Sequence, residues 1–181
     1  MEGQQESGEP SRVRTVRWTD PAVVAAPGRT MSGLEFLRKI AVGELPPPPI
    51  ADLLGMRLVW VEPSSAAFEF DPAEFMYNPL GTVHGGIVTT LLDSAMGCAV
   101  HTTLPAGVGY TTLELKVNFV RSVLTRLGPM RAEGKVVHAG PTVSTAEARL
   151  VDRSETLYAH GVSTLMILRG PSSARREKPV G

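Results

Sequence analysis

The stretch Asn78-Pro79-Leu80-Gly81-Thr82-Val83-His84-Gly85-Gly86 runs straight into a long apolar segment that carries one carboxylate, Asp93. Two consecutive glycines at a helix start let a ligand or another backbone approach closely, and the first-turn amides there lack intrahelical acceptors. Such a terminus favours negative charge, including the charge that develops on a carbonyl oxygen under attack. A carboxylate inside an otherwise apolar helix is costly, so Asp93 needs a reason to be there. On a helical wheel it shares a face with Gly86, Thr90 and Gly97, and a face of such small residues expects a close neighbour.

Asp93 lies eight residues beyond Gly85, roughly 12 Å along a helix axis. Reacting groups must approach to about 3 to 3.5 Å. Asp93 therefore cannot serve the start of its own helix. If both groups act on one carbonyl, a second helix must lie antiparallel beside the first, which predicts an isologous dimer with two composite sites. Each feature taken singly also has a plain structural reading. The glycine pair makes a tight loop, His84 caps or packs, and Asp93 bonds a nearby hydroxyl such as Thr90.

The elements that must hold these groups follow from periodicity. Over Gly85–His101, the residues Ile87, Val88, Leu91, Leu92, Ala95, Met96, Ala99 and Val100 recur at three- and four-residue intervals. The segment is too apolar for a surface helix, which predicts burial on most sides. Upstream, Ser32 and Glu35 form a capping box for a helix whose stripe is Leu34, Phe36, Leu37, Ile40 and Ala41, ending at Gly43. Pro46 to Pro49 end it, and Ile50 to Leu54 make one further turn closed by Gly55.

From Met56 the period becomes two. Met56, Leu58 and Trp60 alternate with Arg57, Val59 and Val61, and Ala66 to Phe70 return after Pro63-Ser64-Ser65, a hairpin pattern. In Thr111 to Val120, Leu113, Leu115, Val117 and Phe119 alternate with Thr112, Glu114, Lys116 and Asn118. Three more strands are predicted at about 130 to 138, 142 to 151 and 156 to 168, separated by turn residues. Two strands, one apolar helix and four strands with short connections make an α+β domain whose antiparallel sheet covers the helix.

Composition narrows the function. At 181 residues the chain suits one domain. Residues 1–30, rich in Gly, Ser, Glu and Pro, read as a disordered tail, 31–55 as a helical extension, 56–169 as the main domain and 170–181 as a second frayed tail. Eighteen basic residues balance eighteen acidic ones, so nothing global draws the chain to nucleic acid or an anionic membrane. The cluster Arg12, Arg14 and Arg17 reads as solvated. Cys98 is the single cysteine, which excludes an intrachain disulfide and fits a reducing compartment. The four histidines lack metal-ligand spacing, so no metal is expected. No apolar run is long enough to span a bilayer and no signal sequence opens the chain, so a cytoplasmic location is expected.

Asn78, Gly81, His84, Gly85, Gly86 and Asp93, in this order and spacing, resemble the signature of the phenylacetic-acid-degradation (PaaI-like) thioesterases of the hotdog superfamily, and the resemblance extends over about Leu53 to Leu168. It implies a hotdog fold, a curved antiparallel sheet wrapped around one long central helix, here with an extra N-terminal helix. It also implies a homodimer, or a homotetramer built as a dimer of dimers, acting on acyl-CoA without a metal or organic cofactor. The roles implied are the Gly85 amide on the thioester oxygen, His84 and Asn78 ordering the loop and the leaving-group side, and Asp93 of the partner chain as nucleophile or general base. Thr111 corresponds to a position that helps place the attacking water. Gly86, Thr112 and Arg121 are the further candidates for substrate contact. Pro141 stands where relatives often carry a basic residue, so Arg121 and Arg126, with Lys116 or Arg131, become the candidates for the CoA phosphates.

Two other classes fit the same fold. An acyl-thioester hydratase or dehydratase pairs a histidine with a nearby acidic residue, whereas His84 is followed by two glycines. A non-catalytic acyl-CoA sensor ordinarily carries an appended module, for which thirty polar residues are too few, and it has no use for Asp93.

Overall fold

The computed structural model describes residues 12–169; the expectations for residues 1–11 and 170–181 lie outside them. Its long helix, here α4, spans Gly85–His101, and Leu91, Leu92, Ala95, Met96, Ala99 and Val100 on it are fully buried. What buries them is a six-stranded antiparallel sheet formed by β1 (Arg57–Glu62), β2 (Ser65–Phe70), β3 (Val108–Phe119), β4 (Met130–Ala139), β5 (Val143–Val151) and β6 (Leu157–Arg169). The strand order is β1-β2-β4-β5-β6-β3. The sheet approaches α4 most closely at β4, where a Cβ on Gly134 would lie 2.2 Å from the Ala95 carbonyl oxygen. Only glycine admits that contact. This is the hotdog arrangement, an α+β fold with one helix held in the curve of one sheet.

Three short helices precede the sheet: α1 (Pro21–Ala25), α2 (Gly33–Ala41) and α3 (Pro49–Leu54). The Ser32 hydroxyl caps α2 by accepting from the Glu35 amide at 3.2 Å, and Gly55 closes α3 in the left-handed conformation. Gly33 seats α2 on the far end of α4, since a Cβ there would fall 1.9 Å from the His101 carbonyl oxygen. Among the described residues no helix is long and apolar enough to cross a membrane.

The structure differs from the sequence expectation in three places. Asp20 accepts from the Ala22 amide at 2.8 Å and starts α1, which buries Val24. Arg12 pairs with Glu74, and Arg14 lies 3.7 Å above the Phe75 ring. Residues 12–30 are therefore docked through individual contacts that leave no period in the sequence, and Arg12 and Arg14 are not merely solvated. In β1 the pairing slips between Leu58 and Trp60, so Val61 turns inward and Trp60, 49% accessible, turns outward. In β3 the pairing slips between Thr112 and Glu114, leaving Leu113 unpaired and 55% accessible. A bulge inserts one residue and exchanges the two faces beyond it. Tyr110 and Thr112 therefore share the helix-facing side with Leu115, Val117 and Phe119.

Candidate active site

The bulge in β3 puts Thr112 against α4. Its hydroxyl donates to Asp93 Oδ1 at 2.9 Å, which gives the lone carboxylate of the helix a charge-assisted partner. Thr90, the neighbour expected from sequence, instead donates to the Gly86 carbonyl at 2.9 Å. Thr111 lies between Tyr110 and Thr112 and therefore on the outer face, exposed and away from Asp93. The structure thus brings Thr112 to the carboxylate and leaves the expected Thr111 behind. Asp93 is half-buried, and its other carboxylate oxygen carries no further side-chain bond among the described residues.

One turn further along α4, Gly97 lies beneath Tyr110, and a Cβ there would come within 2.7 Å of the phenol oxygen. Tyr110 is the close neighbour that the small-residue face called for. Its hydroxyl interacts with the Cys98 thiol, and burial raises the pKa of both groups, that of Cys98 to about 12. Sequence reasoning missed Tyr110; its place two residues before Thr112 was the available signal.

The start of α4 is built separately. His84 caps the helix with Nδ1 accepting from the Gly86 amide at 2.9 Å, and its own amide donates to the Met76 carbonyl. A Cβ on Gly86 would press to 3.0 Å on that Nδ1, so the second glycine keeps the cap in place. Asn78 organises the preceding loop: its Oδ1 accepts from the Leu80 and Thr82 amides, and its Nδ2 donates to the Thr82 hydroxyl. The Gly85 amide has no intrahelical acceptor by virtue of its position. Beside it opens a cavity of about 360 Å³ whose lining includes Asn78, Gly85, Phe119 and Arg121. Arg121 reaches from its rim to the Leu157 carbonyl at 2.6 Å.

Within one chain these two halves stay apart. Thr112 marks the Asp93 end of β3, while Phe119 covers Gly85 at the other, its ring 3.1 Å from where a Cβ would sit. They lie seven positions apart along the strand, roughly 20 Å. Of the basic candidates, Arg131 is held with Arg149 in an ion-pair network with Glu133 and Glu155, whereas Lys116, Arg121 and Arg126 are exposed. Among the described residues no three His, Cys, Asp or Glu side chains converge as metal ligands.

The family model described as the thioesterase superfamily matches residues 80–159, a span that holds His84, Gly85, Asp93 and Thr112. A protein named as an esterase in Saccharolobus solfataricus is 31% identical over 126 residues, 70% of this chain and 88% of its own. The chain belongs to the thioesterase superfamily. Membership makes it a hydrolase of the thioesterase and esterase kind. Another superfamily relative, the 1,4-dihydroxy-2-naphthoyl-CoA hydrolase of Listeria monocytogenes, is 22% identical over 65% of this chain and 94% of its own. Solved structures give the same fold. The PaaI protein of E. coli has a TM-score of 0.66 at 19% identity, covering 78% of this chain and 98% of its own. A phenylacetic acid degradation-related protein from Ralstonia eutropha has a TM-score of 0.65 at 26% identity over 72% of this chain and 98% of its own. In this superfamily member the matched segment spans Gly85 and Asp93 and begins two residues after Asn78.

Proposed function

We propose that this protein hydrolyses acyl-CoA thioesters at two composite sites of a homodimer, each joining Asp93 of one chain to the Gly85 amide of the other. The observation that carries the reading is the Thr112-held Asp93, stranded from the amide-rich end of its own helix but adjoining β3. That strand is twelve residues long, forms the edge of the sheet and leaves Leu113 and Phe119 more than half accessible, at 55% and 57%. A long apolar edge invites pairing. Two β3 strands paired antiparallel about a two-fold axis extend the sheet and set the two α4 helices antiparallel. Each Asp93 then faces the partner's helix start.

In the reaction, the thioester oxygen accepts from the Gly85 amide, whose helix terminus stabilises the negative charge as it forms. Asp93 either removes a proton from the attacking water or adds to the carbonyl carbon itself, expelling the thiolate to leave a mixed anhydride that water then hydrolyses. In the water route the tetrahedral intermediate collapses with cleavage of the carbon–sulfur bond. The proton held by Asp93 then passes to the departing thiolate, giving a carboxylic acid and free CoA. Arg121, which lines the Gly85 cavity and is exposed, is the candidate cation for a CoA phosphate.

Complementation between inactive subunits tests the arrangement. Asp93→Asn removes the base, and Gly85→Pro removes the amide at a helix position that tolerates proline; His84, at ψ 134, already has the extended conformation that precedes proline. Each variant alone is expected to lose about 10²- to 10⁴-fold in thiol release from acyl-CoA. Mixed and reassociated, the two should recover about a quarter of wild-type activity, because half the dimers are hybrids with one intact site. Wild-type turnover by Asp93→Asn, or no recovery on mixing, overturns the proposal.

A further inference from the structure

A chamber of about 1250 Å³, open to solvent on its outer side, lies between the N-terminal extension and the main domain. Its lining includes Phe36 and Ile40 of α2, the run Pro46 to Pro49 and Val108 of β3. Its floor is the last turn and a half of α4, where Cys98 and His101 meet Tyr110. The His101 ring sits between those of Phe36 and Tyr110, with centroids 5.8 and 5.5 Å away.

The floor is polar in composition but carries no charge. Burial lowers the pKa of His101 and raises those of Cys98 and Tyr110, so each favours its neutral form. The charged residues of the lining, Arg29, Asp52 and Arg57, belong to the outer part, where Arg29 and Arg57 are exposed and Arg57 pairs with Asp71. A chamber with an uncharged floor and apolar walls suits an apolar guest.

Its position names the guest. Tyr110 is a wall shared by the chamber and the Asp93 site, since it covers Gly97 one turn beyond Asp93 and stands two residues from Thr112. Asp93, Gly97 and His101 follow one another on the same helix face. We infer that the chamber receives the acyl tail of the substrate, so that the enzyme prefers extended acyl groups of medium to long chain. The inference rests on Asp93 as the reacting carboxylate. A carbonyl at Asp93 and a tail reaching His101 span eight helical residues, about 12 Å or roughly ten carbons.

The test is the chain-length profile of kcat/KM for straight-chain acyl-CoAs from acetyl to hexadecanoyl, using the full-length protein. Each methylene entering the chamber should raise kcat/KM by roughly fourfold, up to about ten carbons. A flat profile, or one that falls beyond butyryl, overturns the inference. Ile40→Trp, which fills the α2 wall, should lower the dodecanoyl-to-butyryl ratio of kcat/KM at least tenfold; an unchanged ratio in the folded variant overturns it. Calorimetry with alcohols separates this inference from the reaction itself. 1-Decanol should bind at least about 30-fold more tightly than 1-hexanol, whether or not any thioester is cleaved. Equal affinities overturn the chamber; absence of hydrolysis at every chain length overturns the proposed function.

Discussion

At Asp93 the cost of a carboxylate in an apolar helix is met by one hydroxyl. Hydrogen bonds to charged groups contribute about 1.5–3 kcal/mol, and Thr112 supplies one at 2.9 Å. Thr112→Val keeps the shape and removes the donor. Its kcat is expected to fall about ten- to hundredfold, whereas Thr111→Val, on the outer face, stays within about twofold of wild type; steady-state thiol release decides between them. Cys98 supplies a second prediction. Its thiol is raised from 9.0 to about 12 by burial, so at pH 8 very little is ionised and a disulfide reagent should react far more slowly with native than with denatured protein. The unfolded thiol ionises at the lower pH, so the folded state holds its proton longer. The associated stability is complete below about pH 9 and declines as pH rises toward 12, which urea titrations across that range would follow.

The elements are placed by close backbone approaches that only glycine permits. Gly134→Ala would drive a Cβ to 2.2 Å from the Ala95 carbonyl oxygen, a backbone atom that cannot swing aside. Overpacking of this kind costs about 1–3 kcal/mol, and a loss of about 3 kcal/mol lowers the melting temperature by roughly 6–12 °C. Thermal unfolding followed by circular dichroism measures it; an unchanged midpoint would mean that α4 rides free of β4. The bulge in β3 matters as much for function as these contacts do for stability. Without the extra residue at Leu113, Thr112 would fall on the face opposite Leu115 and Val117, and Asp93 would lose its partner.

For the molecule as a whole, the proposed function requires two chains. Sedimentation equilibrium should give about twice the 19.3 kDa chain mass or a multiple of it. Val117→Arg places a charge on the inward side of the edge strand, a substitution that opposes strand pairing. It should yield a folded monomer with thiol release near background. A fully active monomer would exclude the shared site.

The local features were legible in the sequence because each depends on residues near one another in the chain. The three- and four-residue spacing in α4, the Ser32 cap, Gly55 after α3 and the turn residues between β3 and β6 specify elements without reference to distant partners. So does the His84-Gly85-Gly86 helix start. The faces of β1 and β3 were not legible, since a bulge is set by register against another strand. Trp60 and Thr112 accordingly fell on the opposite side from the one alternation suggested. The docking of Arg12 and Arg14, the ring of Tyr110 over Gly97 and the chamber beneath α2 likewise come from contacts between segments far apart in sequence. Periodicity records which residues are apolar; only packing decides what they surround.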